Sequence, residues 1–111
     1  MDISKLDPKI RKIYEELDML DFRVNMAKDN PDLYTPEEIH EMAEEYPKQL
    51  KIVADELTKR FSKLPEDVKE RTRYEVHYQR DMTDVREWIK HVQENVSWVM
   101  DRDEELRNKG L

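Results

Sequence analysis

From Pro36 onward the apolar positions Ile39, Met42, Ala43, Tyr46, Leu50, Val53 and Leu57 recur at steps of three and four, opposite Glu41, Glu45, Lys48, Asp55 and Lys59. That spacing predicts a helix with a single apolar stripe, which other helices must cover. Its start is specified locally. Thr35 offers a capping hydroxyl, Pro36 sits where no amide hydrogen is needed, and Glu38 is placed to reach back to the cap. Just upstream, Asn30-Pro31 closes the preceding segment, because a proline pushes the residue before it out of the α region. Pro47 lies inside the predicted helix and removes one intrahelical bond, a cost of about 3 kcal/mol in a regular interior. The stripe nevertheless keeps its phase across Met42, Tyr46 and Leu50, which predicts one bent helix ending between Phe61 and Leu64, with Leu64-Pro65 restarting the chain.

The first segment opens at Asp7-Pro8 and carries Ile10, Ile13, Tyr14, Leu17, Leu20, Val24 and Ala27 on one face up to about Lys28. Off that stripe, Met19, Phe22 and Met26 form a second apolar strip, which either widens the core contact or marks a partner surface. The last segment runs from Glu66 to about Lys109. Its second half has a heptad-like register of Met82, Val85, Ile89, Val92, Val96, Val99 and Leu106, with Asp103 as the polar intruder. Its first half is weaker, since Tyr74, Val76 and Tyr78 do not settle on one face. The pattern predicts an all-α fold, an antiparallel up-down-up three-helix bundle with a long C-terminal helix, forming one domain over residues 1–111. Asp84 with Glu87 forms a capping-box pattern, so a break near 81–84 giving a fourth helix stays open.

Length arithmetic on such a bundle brings the third helix level with the top of the second at about Val92. Roughly fifteen residues then remain, on the order of 22 Å of helix. This stretch carries Val96, Trp98, Val99, Met100 and Leu106, too much apolar surface to leave in water. Self-association through the C-terminal helix is the favoured cover, and folding back as a fourth helix is the alternative. The candidate partner-binding residues are therefore Met19, Phe22, Met26, Val96, Trp98, Val99 and Met100.

Composition narrows the function classes. The 111 residues are 42% charged, with one Gly and no Cys, which excludes thiol chemistry and a disulfide scaffold. A net charge of −7 argues against nucleic acid and against an anionic membrane surface. No apolar run is long enough to span a bilayer and the N-terminus lacks a signal peptide's apolar core, so a soluble, cytoplasmic protein is expected. The lack of Cys, the single Gly, the high charge and the explicit caps match the rules for a computationally designed helical bundle, although Pro47 departs from idealised practice.

Candidate chemistry is sparse. Glu37-Glu38-Ile39-His40 holds the Glu-x-x-His spacing of carboxylate-bridged metal bundles, but only one copy is present, and His77 and His91 stand alone. Ser4, Ser62 and Ser97 lack a histidine and carboxylate context for nucleophilic catalysis. The expectation is no enzyme, no catalytic or metal residue and no cofactor. The predicted role is that of a designed scaffold or protein-binding module.

Two resemblances bear on that role. The Pro31 turn with Thr35, Glu37, Glu38 and Ile39, preceded by Ile10, Tyr14, Leu17, Leu20 and Val24 and followed by Tyr46, Leu50, Val53 and Leu57, resembles the N-terminal three-helix (Habc) domains of syntaxin-type SNARE proteins. It covers about half of the chain, and the last segment departs from the pattern. The resemblance implies a bundle that binds partner proteins or regulates their assembly, with no catalytic residues. Tyr46, Leu50, Val53, Ala54, Asp55 and Leu57 are also similar in spacing to the apoptotic helices that enter the groove of pro-survival Bcl-family proteins. That likeness implies a helix-in-groove binder.

Overall fold

The computed structural model describes residues 3–61 and 68–109, with side chains for these apart from residue 5 and residues 68–81. The proposed restart at Leu64-Pro65 and the side chains of Tyr74, Val76, His77 and Tyr78 lie outside the described residues. After a 3₁₀ turn at Ile3–Lys5 come four helical segments: α1 (Pro8–Asp18), α2 (Leu20–Asp29), α3 (Pro36–Phe61) and α4 (Val68–Asn108). Among the described residues there is no strand. Because only Met19 separates α1 from α2, the molecule is a bundle of three helical arms, 61 × 23 × 20 Å in extent.

The helix starts follow from local chemistry. Asp7 Oδ1 accepts the Lys9 amide hydrogen at 2.9 Å, with Pro8 as the first helical residue. At α3 the capping box closes in both directions: Glu38 N donates to Thr35 Oγ1 and Thr35 N to Glu38 Oε1, each at 3.2 Å. Between α2 and α3, Asn30 leaves the helical region (φ −133°, ψ 90°), its side-chain oxygen accepts from Asp32 N at 3.3 Å, and the chain turns into Pro31.

One element differs from the sequence pattern. The first arm has a hitch at Met19, where ψ rises to −9°, although no Pro or Gly lies there. The ladder carries through it, with Met19 N on Glu15 O and Arg23 N on Met19 O, both at 3.2 Å. The open alternative of a break near 81–84 is resolved in the other direction, since α4 is one unbroken helix of 41 residues. α3 likewise runs without interruption through Pro47.

The core draws on every arm. Leu17, Leu20 and Val24 meet Val53 and Leu57 of α3 and Val85, Val92 and Val99 of α4, all almost completely buried. Burying each such side chain contributes about 1.5–3 kcal/mol. Leu6, just ahead of the α1 cap, is buried with them.

The relation of α4 to α3 corrects the expected C-terminal overhang. His40 touches Asp103, Ala43 and Glu44 share a groove with Met100, and Pro36 and Glu37 share another with Leu106 and Arg107. The last turns of α4 are therefore flanked by the first turns of α3. Val96 (5% exposed) and Val99 (0%) lie in the core, with Trp98 packed against it. Neither a second chain nor a folded-back helix is needed to cover them. Asp103 to Arg107, and not Val92, stand beside the first turns of α3.

Candidate interaction surface and the His40 cluster

Of the seven candidate partner residues, the structure brings three together in the open. Met19, Phe22 and Met26 are 53%, 59% and 43% exposed. Steps of three and four put them in one row, on the side of the helix turned away from the buried Leu20, Val24 and Ala27. The sequence alternative of a wider core stripe is thereby excluded for these three residues. Met100 is exposed, but on α4 beside His40 and Glu44, apart from that row. Val96 and Val99 belong to the core and cannot serve as a docking surface while the bundle is folded. Tyr46, Leu50, Val53 and Leu57, the anchors of the groove-binding resemblance, are likewise core residues. Ile52 and Leu33, which were not singled out in the sequence, are also exposed.

The other polar feature of note joins α3 to α4. Asp103 is 4% exposed, and its carboxylate faces His40 Nδ1 at 3.2 and 3.3 Å and Arg107 at 3.0 Å. The far nitrogen of the same ring, Nε2, lies 3.1 Å from Glu44 Oε1. A neutral imidazole has one N–H to donate and an imidazolium has two, so only the charged ring donates to both carboxylates. The polar intruder of the heptad thus has a reason: a carboxylate at this depth needs partners, and one arrives from each helix. A polar residue inside an apolar register, together with a histidine beside the facing stripe, was the available signal.

Beside this cluster lies a groove of about 380 Å³ walled by Pro36, Glu37, His40, Glu41, Asp103, Leu106 and Arg107. Its walls carry no hydroxyl or thiol that His40 could activate. Both ring nitrogens already face carboxylates. Among the described residues no group of three or more His, Cys, Asp or Glu is placed to hold a metal ion, and Glu37-x-x-His40 gains no ligand from α4 beyond Asp103. His91 pairs instead with Asp21 at 3.4 Å on the surface.

Among the described residues two groups have shifted acidities. Burial first, then the Asp18 and Asp84 carboxylates, push the Tyr14 phenol above its ordinary value. The exposed Glu105 is held below the usual carboxylate range by its hydrogen bond to Lys109 and then by the charges of Lys109 and Arg102. Glu105 lines a groove with Ala27, Lys28, Pro31, Trp98, Asp101 and Arg102, whose walls carry no hydroxyl or thiol.

Among the described residues no helix is long and apolar enough to cross a membrane. No protein-family model, curated protein or solved structure matches the chain.

Proposed function

We propose that this chain is a non-catalytic, protein-binding helical bundle whose partner surface is the outer face of α2. The exposed row of Met19, Phe22 and Met26 carries the reading. Three large apolar side chains standing together in water on a helix whose opposite face is already buried have no role in holding the bundle together. The engagement of both His40 nitrogens by Asp103 and Glu44 speaks against an enzyme.

The architecture that presents this face is an antiparallel up-down-up bundle. Support comes from neighbours whose numbers descend along α4, from Arg107 to Asp103 to Met100, as those on α3 rise from Pro36 to His40 to Glu44. A designed origin is supported by the reciprocal cap at Thr35 and Glu38 and by the Asp7-Pro8 start. Phe22→Ser with Met26→Ser tests the function, since both positions are exposed and the fold should survive. The expected result is unchanged helicity and loss of the proteins that co-purify with the parent chain. A co-purifying set that is the same for both chains overturns the reading.

A further inference from the structure

The geometry points to a cationic amphipathic helix as the occupant of the Met19, Phe22 and Met26 row. This rests on the binding role proposed for that row and adds the chemistry of the partner. From Met19 to Met26 the row spans seven residue steps, about 10 Å or two helical turns, which suits three anchors from a second helix laid along it. Methionine thioethers adapt their shape to different apolar partners, so the row specifies an apolar stripe more than one particular sequence.

The rim supplies the charge. Glu15 precedes Met19 by one turn, Asp18 precedes Phe22 by one turn, and Asp29 follows Met26 by one turn, all three exposed. Asp18 accepts the Trp88 indole hydrogen. Within one turn of the row the positive groups are fewer. Arg11 and Lys12 stand two turns before Met19, Lys28 lines grooves with Trp98 and Asp101 instead of the row, and the Arg23 guanidinium is drawn toward α3, where it donates to the Tyr46 hydroxyl at 2.6 Å. An acidic rim on a chain of net charge −7 repels a second copy of itself and an anionic lipid surface. It attracts lysines or arginines flanking an apolar stripe.

Two labelled synthetic helices of about 18 residues test this, alike in a leucine stripe at i, i+3 and i+7, with lysine flanks in one and glutamate flanks in the other. Anisotropy titration of the full chain should show the lysine helix binding at least about tenfold tighter, with affinity falling as salt rises. Phe22→Ser should abolish that binding, and Glu15→Lys with Asp29→Lys should reverse the preference. Equal binding of both helices, lost in Phe22→Ser, overturns the cationic partner while leaving the binding surface standing. Binding that survives Phe22→Ser overturns both readings. A dimer in sedimentation that Phe22→Ser dissolves, preferential binding to anionic vesicles, or no binding of the lysine helix below about 1 mM overturns the inference.

Discussion

Trp88 of α4 stacks on Tyr14 of α1, with ring centroids 4.5 Å apart and planes inclined by 17°, and its indole N–H donates to Asp18 at 3.2 Å. One side chain thereby clamps the first arm to the last by an apolar face and a polar edge, a use to which tryptophan is suited.

The clamp has an alkaline limit. Burial and the nearby Asp18 and Asp84 carboxylates hold the Tyr14 proton more tightly in the folded chain than in the unfolded one, whose phenol ionises near 10.0. Below that pH both states are protonated and stability is level. Above it the unfolded state loses its proton first, so stability falls as pH rises through the folded value. Denaturant midpoints of the parent chain and Tyr14→Phe, compared from about pH 9 to 11, should diverge, the parent falling more steeply. Parallel curves would remove the coupling.

The parts legible in the sequence were those decided within a few residues. Asp7-Pro8 and Thr35 to Glu38 form the expected caps because capping bonds reach only two or three positions along the chain. Met19, Phe22 and Met26 were legible as a separate strip because the angle between them and the core stripe is fixed within one helix. The placement of α4 on α3 was not legible. It shows in the meeting of His40 and Asp103, 63 residues apart, which periodicity registers only as a flaw in the heptad. The sequence pattern alone therefore puts Val96 and Val99 on a surface, whereas they belong to the core.

Pro47 sits within a continuous α3, half-buried, where its ring nitrogen has no hydrogen to give the Ala43 carbonyl. Pro47→Ala should restore that donor and raise stability, by up to about 3 kcal/mol less whatever the proline saves by restricting the unfolded chain. A midpoint that stays level or falls in urea titration would show that the helix divides there in solution.

Asn95 is 8% exposed, and its Nδ2 group has no hydrogen-bond partner; on α3, Gln49 Oε1 is likewise unpaired. A buried amide hydrogen left unmet costs about 1–3 kcal/mol. Asn95→Leu, close in size and free of polar atoms, is expected to raise the unfolding midpoint. If the substitution lowers it, the Asn95 amide is hydrogen-bonded in solution and contributes to holding α4 in place.

The His40 and Asp103 contact yields the sharpest mutational test, because the two residues should respond in opposite ways. Asp103 is buried and charged, whereas the side chains of His40 and Arg107 are 45% and 61% exposed. Removing an exposed partner leaves a buried carboxylate with fewer donors, which costs on the order of 1–3 kcal/mol, toward the lower end here because water reaches both partners. His40→Ala and Arg107→Ala should each destabilise by about that amount, and the pair together should lose more than either alone. Asp103→Leu removes the group that requires the donors and places an apolar side chain in an apolar register, so it should leave stability level or raise it. His40→Ala should then have little further effect on the Asp103→Leu background, and the double-mutant cycle should return a coupling energy between positions 40 and 103 clearly above experimental scatter. Additive effects would mean that the carboxylate and the ring act independently, and the register of α4 on α3 would have to rest on its apolar contacts alone.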